Sequence, residues 1–125
     1  MLMHTQVMVQ DHDYIASRLT APPIKDVVEA AYLRLSTEKG SYFTDKDFGS
    51  ELYRLRRSKD TPQIRLQAVA WAKQALEPLK PRYFLASINV SQILPIKKGE
   101  IALLAKLTHQ SGQIYTTTFT VKVAG

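Results

Sequence analysis

The sequence contains no cysteine. Without thiols the chain can form neither a disulfide framework nor a thiolate metal site, so its folding does not require an oxidising compartment. The first residues lack the basic head and apolar run of a signal peptide, and no window approaches the ~18 apolar residues that cross a bilayer. We therefore expect a chain that is neither exported by a signal peptide nor embedded in a membrane.

The usual signatures of catalysis are also missing. The three histidines are far apart in sequence, and no His-Glu-x-x-His pair, glycine-rich phosphate loop or Gly-x-Ser-x-Gly elbow occurs. Asp11, His12 and Asp13 are adjacent, but successive side chains of an extended chain point to alternate sides, so at most two of them converge on one ion. The sequence therefore predicts no metal and no cofactor.

A catalytic pair of acids is not apparent either. Glycosidases need two carboxyl groups roughly 5–9.5 Å apart, one of them kept protonated by burial. The candidates, none of which lies in an apolar stretch, are Asp45, Asp47, Glu51 and Glu77. Asp45 and Asp47 are better placed to cap a following helix, where carboxylates accept hydrogen bonds from free backbone amides. We therefore predict that the protein is not an enzyme.

Positive charge is what the chain does have. It carries 17 Lys and Arg against 11 Asp and Glu, which gives a net charge of +6. An acidic partner is favoured, whether nucleic acid, anionic lipid or an acidic protein surface, and the sign of the charge does not choose among them. Since no long block of like charges occurs, any positive patch must be assembled by folding.

The order of the sequence patterns predicts the fold class. Helical patterns fill the first two thirds of the chain and strand patterns the last third. This segregation predicts an α+β fold with about three helices packed on a C-terminal antiparallel β-meander. A chain of 125 residues suits a single domain. We assign that domain to residues 21–125 and interpret residues 1–20 as an N-terminal arm or short strand.

Two of the predicted helices have clear boundaries. The first starts after a pair of prolines and ends at Gly40, and its apolar stripe comprises Ile24, Val28, Ala31 and Leu35. The other spans residues 61–77, where Thr61 can cap the helix and Pro62 suits its first position. Its inner face comprises Ile64, Ala68, Ala72 and Ala75.

The stretch 42–57 contains the remaining predicted helix, which is short and basic and runs from Phe48 to Arg57. Its apolar stripe comprises Phe48, Leu52 and Leu55. Gly49 and Ser50 lie where the chain enters this helix, and their small size lets another chain segment approach closely. The helix also carries Arg54, Arg56 and Arg57, which either face an acidic partner helix or are simply solvated.

Three alternating segments predict the meander. Their inward sets are Phe84, Ala86, Ile88 and Val90; Ile101, Leu103, Ala105 and Leu107; and Tyr115, Thr117, Phe119, Val121 and Val123. The last strand ends near the C-terminus and is expected to lie at an edge. An edge strand has unpaired backbone groups, so a strand of another protein could extend the sheet there.

Several of these segments together resemble a known family. The segments are Phe-Thr-Asp-Lys-Asp-Phe-Gly-Ser-Glu-Leu at 43–52, the alanine-rich helix, and Lys-Pro-Arg at 80–82 before the meander. In this order they resemble the baseplate wedge proteins of contractile-tailed phages, particularly the Mu-like branch, which has relatives in type VI secretion baseplates. Family members often carry Glu-Pro-Arg before the first strand. Here Pro81 and Arg82 match, while Lys80 replaces the acid.

The resemblance implies a structural role. It implies a virion protein of the tail baseplate, assembled in the host cytoplasm, that binds other wedge proteins and gives the tail sheath its first attachment surface. Arg82 could grip a carboxylate or backbone carbonyls of such a partner, or form an internal salt bridge. The predicted partner-binding residues are Phe48, Gly49, Ser50, Arg54, Arg56, Arg57, Pro81 and Arg82.

Two other functions compete with this one. A small basic nucleic-acid-binding module would need exposed aromatic rings beside cations, and the candidate rings are Tyr83, Phe84, Tyr115 and Phe119. Phe84 and Phe119 lie in apolar alternation and are expected in the core, so nucleic acid is not the expected partner. A cell-wall hydrolase is suggested only because some relatives were labelled lysozymes, and no convincing carboxylate pair supports it.

Overall fold

The structure, a computed structural model, describes residues 20–124. Residues 1–19 and 125 lie outside this range, so the predicted arm and the Asp11-His12-Asp13 tripeptide are not described. The helices are α1 (Ile24–Ser36), α2 (Pro62–Leu76) and the single turn α3 (Leu79–Arg82), with a 3₁₀ turn at Leu52–Leu55. The strands are β1 (Leu85–Gln92), β2 (Glu100–His109) and β3 (Ile114–Lys122).

The predicted α+β class and antiparallel meander are confirmed. The sheet has the order β1-β2-β3, with both neighbouring pairs antiparallel. Helix α1 packs on β3, while α2 and α3 pack on β1, so the core lies between one face of the sheet and the helices. The residues described form two multi-turn helices, not the three predicted.

The missing helix is the one predicted from Phe48 to Arg57. Leu52 and Leu55 are buried as predicted, each about 2% exposed, but only the 3₁₀ turn that contains them is helical. Upstream, the Asp47 amide donates to Asp45 Oδ1 at 3.1 Å, which makes a local turn. Gly49 then has φ +112°, outside the right-handed helical region. These two features end any helix before it can reach Leu52.

Helix α1 is shorter than predicted, and its predicted stripe is confirmed at Ala31 and Leu35 but not at its start, where Val27 is buried and Val28 is only partly buried. Its buried stripe is Val27, Ala31 and Leu35, whereas Ile24 is 62% exposed, so the prediction that Ile24 faces the core is wrong. The helix ends at Ser36 rather than Gly40 because Thr37 turns away into extended backbone. The Thr37 hydroxyl donates to the carbonyl of Leu33 at 2.7 Å and satisfies one of the terminal acceptors.

Helix α2 follows its sequence signals closely. Thr61 Oγ1 accepts a hydrogen bond from the Ile64 amide at 3.2 Å, and Pro62 occupies the first turn. The buried face includes the three predicted alanines, Ala68, Ala72 and Ala75. Their small side chains let the helix lie close to β1.

Strand β1 departs from strict alternation. A register irregularity between Leu85 and Ser87 shifts the phase of the strand, and as a result Leu85 and Ile88 both face the core. Ala86, which was predicted to face inward, is exposed. The preceding residue, Phe84, has φ +54°, so the chain enters the strand in a conformation that the alternation pattern did not predict.

A buried ion pair links α2 to the loop between β1 and β2. The side chains of Arg65 and Asp60 are only 6% and 10% exposed. Arg65 Nε and Nη2 donate to the Asp60 carboxylate at 2.6 and 2.5 Å, and Nη2 also donates to the carbonyls of Lys97 and Glu100. The Gly99 amide donates to Asp60 Oδ2 at 3.1 Å. One guanidinium and one carboxylate thus join the segment at the start of α2 to the loop before β2, although the two segments are more than 30 residues apart in sequence.

This pair predicts a pH dependence of stability. Hydrogen bonds from Arg65, together with the Gly99 amide, lower the pKa of Asp60, and burial opposes them. The folded carboxyl is therefore more acidic than the unfolded one, whose pKa is about 3.9. Its contribution to stability is complete above about pH 4 and is lost as the pH falls through the folded pKa.

We expect the melting temperature of Asp60→Asn to lie well below that of the unmodified protein at pH 7. The gap should begin to narrow below about pH 4, where the unfolded carboxyl takes up a proton, and should narrow further as the pH falls toward the lower pKa of the folded carboxyl. Thermal unfolding followed by circular dichroism from pH 7 to pH 2.5 measures this gap. A gap of constant size across that range would contradict the role given to the Asp60 charge.

Candidate protein-interaction surface

The chain that follows α1 forms a closed loop, residues 38–50. Its ends are joined because the Lys39 amide donates to the Ser50 carbonyl at 3.0 Å and the Ser50 amide donates to the Thr37 carbonyl at 2.9 Å. Gly49 lies at this junction, where a Cβ atom would be 2.5 Å from the Thr37 oxygen. The close approach predicted at Gly49 is thus made by a segment of the same chain, and a role of Gly49 in partner binding stays a prediction.

Ser50 fixes the same junction with its side chain. Its hydroxyl donates to the carbonyl of Leu35 at 2.8 Å and accepts from the Leu52 amide at 3.4 Å, and the residue is buried. Ser50 therefore satisfies a terminal carbonyl of α1 and an amide at the start of the 3₁₀ turn. The prediction that Asp45 and Asp47 cap a helix here is wrong, since Asp45 instead accepts the hydrogen bond of its local turn.

Two aromatic rings of the 38–50 loop form a stack with a guanidinium group of α1. The rings of Tyr42 and Phe48 are stacked with centroids 4.9 Å apart, and the Arg34 guanidinium lies 4.6 Å from the Phe48 centroid. Burial lowers the pKa of Arg34; the nearby Arg82 lowers it further and Asp45 opposes the change. Phe48, a predicted site residue, is therefore half-buried in a stack that joins α1 to the loop.

Pro81 and Arg82 are exposed at the end of α3. The Arg82 guanidinium lies 5.5 Å from the centroid of the Tyr83 ring, which holds its stem against the surface. Within residues 20–124 no carboxylate forms an ion pair with Arg82. The neighbouring Lys80 pairs with Glu77 at 3.9 Å. Of the two predicted states for Arg82, the internal salt bridge is thus not formed in the described part of the chain.

The three arginines around the 3₁₀ turn differ in their surroundings. Arg54 pairs with Glu51 at 3.2 Å and lies 5.4 Å from the Trp71 ring centroid. Arg56 pairs with Glu38, which lies in the 38–50 loop, at 3.1 Å. Arg57 is exposed and forms no ion pair with any other residue that the structure describes. Both ion pairs are partly or largely exposed, so they contribute little to stability.

Sequence reasoning missed three parts of this surface. Arg34 was hidden within a regular helix, and its contact with Phe48 depends on the fold of the loop. Tyr42 and Phe43 form an aromatic pair in an otherwise polar segment, a signal that could have been used. Phe43 is 91% exposed, more than any other large apolar side chain of residues 20–124.

Two cavities of different size border this surface. One, lined by residues that include Glu38, Ser50 and Arg56, has a volume of about 210 Å³. The cavity beside Arg34 and Trp71 has a volume of about 30 Å³, comparable with the share of one water in the liquid. Glu51 and Glu77 are ion-paired near the surface rather than held in the apolar surroundings of a general acid. Across the described residues, no group of three or more His, Asp or Glu side chains could hold a metal ion.

Two of the aromatic residues considered for nucleic-acid stacking, Tyr115 and Phe119, are covered or partly covered by other parts of the chain. Tyr115 is 1% exposed and its hydroxyl donates to the Pro22 carbonyl at 2.5 Å. Phe119 is half-buried, with Tyr32 edge-on to its ring at 5.8 Å. These rings do not form an exposed platform beside cations. None of the helices described here is long and apolar enough to cross a membrane.

Comparison with known proteins gives one family and two structural neighbours. A family model described as Phage protein GP46 matches residues 11–114. A protein of Geobacter sulfurreducens described as a candidate tail lysozyme superposes with a TM-score of 0.63 at 19% identity, covering 81% of this chain and 91% of its own. A chain of the baseplate complex from the type VI secretion system superposes with a TM-score of 0.59 at 16% identity, covering 82% and 94%. The curated proteins give no significant match. Such low identities establish a shared fold alone.

Proposed function

The chain belongs to the Phage protein GP46 family, and on this premise we propose that it is a structural subunit of a contractile-tail baseplate. The family match confirms the predicted resemblance to a phage family. In the proposed role the chain is a wedge subunit that binds neighbouring baseplate proteins, helps to start sheath assembly, and catalyses no reaction. Its place would be the virion tail, after assembly in the host cytoplasm. The likeness in fold to a chain of a baseplate complex supports this role.

The observation that carries the proposal is the state of Arg82. This guanidinium is exposed, is near enough to a second cation, Arg34, to lower the pKa of that residue, and has no carboxylate ion-pair partner in residues 20–124. A planar guanidinium favours bidentate hydrogen bonds to a carboxylate, and such bonds are stronger than those between neutral groups. A partner that presents a carboxylate at this point would relieve the repulsion between the two cations as well as gain those bonds.

The outer edge of β3 offers a second contact for a partner protein. The Val123 amide donates toward β2, whereas the next amide, that of Ala124, donates to the Ser58 carbonyl on the outer side. Because successive residues of a strand alternate in direction, outward backbone groups belong to Thr116, Thr118, Thr120 and Lys122. The segment at Ser58 closes the edge only at its end. In our proposal a strand of the tail sheath, or of a neighbouring wedge protein, adds to the sheet along these four residues.

We expect Arg82→Ala to lower the yield of sheathed tails by about ten-fold or more, because a desolvated charge pair at an interface loses several kcal/mol when one partner is removed. The variant is supplied in trans to a tail-producing strain that lacks the gene, and tails are counted by electron microscopy. Lys25→Ala removes an exposed cation from the start of α1 and serves as the control, with a normal yield expected. Since Arg82 is exposed, thermal unfolding should show both variants folded.

The Arg82→Lys variant separates charge from geometry. It keeps the cation but loses the planar fork, so we expect a yield between those of Arg82→Ala and the unmodified chain. Normal tail numbers from folded Arg82→Ala would rule out the proposed role of this residue.

A further inference from the structure

The 38–50 loop presents an apolar tip to solvent. Phe43 at this tip is 91% exposed, and the adjacent Tyr42 is 46% exposed although its ring stacks on Phe48. A phenylalanine buries more apolar area than most side chains and is normally found inside a protein. Leaving it in water gives up a favourable transfer free energy that a binding partner could recover.

The loop is held in one shape by contacts at its ends and along its length. The paired backbone of Lys39 and Ser50 joins its ends, and the Ser41 hydroxyl donates to the Glu38 carbonyl at 2.6 Å. The local turn at Asp45 and the stack of Phe48 between Tyr42 and Arg34 fix the rest. Compact surface loops with joined ends and internal side-chain packing are frequently functional. Because the loop is already ordered, docking it would cost little further conformational entropy.

We propose that the 38–50 loop is a docking element whose Phe43 side chain inserts into an apolar pocket of a neighbouring protein subunit, with a carboxylate of that subunit beside the pocket facing Arg82 and Arg34. This inference rests on the proposed function, since the partner is a protein of the same assembly. Rigid aromatic anchors that fill a pocket, next to an arginine, are the usual centres of protein interfaces.

The charges of the molecule favour this occupant over others. The loop itself carries three acidic and two basic residues, so its tip does not attract an anionic membrane or nucleic acid. In the stack, the Arg34 guanidinium interacts with the acid Asp45 and is repelled by a second cation, Arg82, which has no carboxylate ion-pair partner in residues 20–124. An apolar tip on a surface that also carries Arg82, a cation without an ion-pair partner among residues 20–124, fits a protein surface with a pocket and a carboxylate.

A competition experiment tests the anchor. The unmodified chain and Phe43→Ser are expressed together in the tail-producing strain, and mass spectrometry measures their ratio in purified tails. We expect Phe43→Ser to be depleted by about ten-fold or more relative to its expressed share, because an anchor of this size is lost. Leu66→Ser is the control: Leu66 on α2 is 66% exposed and lies outside the loop, so its ratio should match expression. Equal incorporation of Phe43→Ser, or equal depletion of both variants, overturns the inference.

A photo-crosslinker identifies the occupant. With p-benzoylphenylalanine at position 43, irradiated tails should contain this chain joined to a different baseplate subunit, at an apolar residue of that subunit. Cross-linking to a second copy of this chain, to lipid or to nucleic acid overturns the inference. If the unmodified chain is absent from purified tails, the proposed function itself fails. If it is present while Phe43→Ser competes equally, only the docking element fails.

Discussion

Replacement of Arg65 by Leu is expected to lower the melting temperature by about 10 °C or more. The substitution keeps a large apolar stem on α2 but removes the only cation that pairs with the Asp60 carboxylate among residues 20–124. It also removes a donor from the carbonyls of Lys97 and Glu100. The variant leaves a buried carboxylate without its cation and two carbonyls without a hydrogen-bond donor, and both changes destabilise the folded state. The intact pair itself contributes little net free energy compared with an apolar pair of the same shape.

Arg56→Leu is the matched control for this substitution. It removes an arginine of the same size from an ion pair with Glu38 at 3.1 Å, but there the side chains are 63% and 52% exposed. Solvent screening makes such a pair nearly neutral for stability, so the melting temperature should change by no more than about 2 °C. Differential scanning calorimetry at pH 7 measures both variants. Similar shifts for Arg65→Leu and Arg56→Leu would show that the pair buried under α2 has no special role.

Gly49→Ala is expected to destabilise the protein by about 3 kcal/mol, although it adds a single methyl group. Two causes act together: φ is +112° at this position, and the new Cβ would lie 2.5 Å from the Thr37 carbonyl oxygen. The obstacle is backbone, which cannot move aside without breaking the hydrogen bonds that close the 38–50 loop. The variant should therefore also lose the fixed presentation of Phe43.

Gly40→Ala separates the two causes. Gly40 also has a positive φ, +92°, but nothing lies within 4 Å of the point that a Cβ atom would occupy there. It should cost only the backbone strain, about 1 kcal/mol. Urea unfolding of the two variants gives the difference, which we assign to the close approach at Thr37. Equal losses of free energy would mean that the junction relaxes without penalty.

The parts of the fold that were predictable depend on local signals. The cap at Thr61, the proline that follows and the alanine spacing of α2 are all properties of neighbouring residues, and they gave the helix to within about one residue. The alternation of β2 likewise needs only its own sequence, and its four predicted inward residues are buried.

The parts that were missed depend on contacts between distant residues. The burial of Arg65 could not be predicted from its neighbours in the helix because two of its acceptors, the carbonyls of Lys97 and Glu100, lie more than 30 residues away. The apolar spacing of Phe48, Leu52 and Leu55 fits a helix, yet the conformation of Gly49 is set by the approach of Thr37. Local periodicity cannot register either contact.

Buried contacts at the base of the 38–50 loop position the exposed residues of the proposed interaction surface. Ser50 and Gly49 fix the 38–50 loop to the end of α1, and the stack on Phe48 places Arg34 near Arg82. The proposed surface thus consists of side chains that are ordered before any partner binds. Binding would then cost mainly the immobilisation of Phe43 and Arg82 themselves.

Cryo-electron microscopy of contractile tails from a strain that carries this gene tests the central claim most directly. The account predicts baseplate density that accepts residues 20–124, with Arg82 against a carboxylate of a neighbouring subunit. Complete tails whose baseplate contains no density for this chain, and whose sheath forms normally when the gene is deleted, would contradict it.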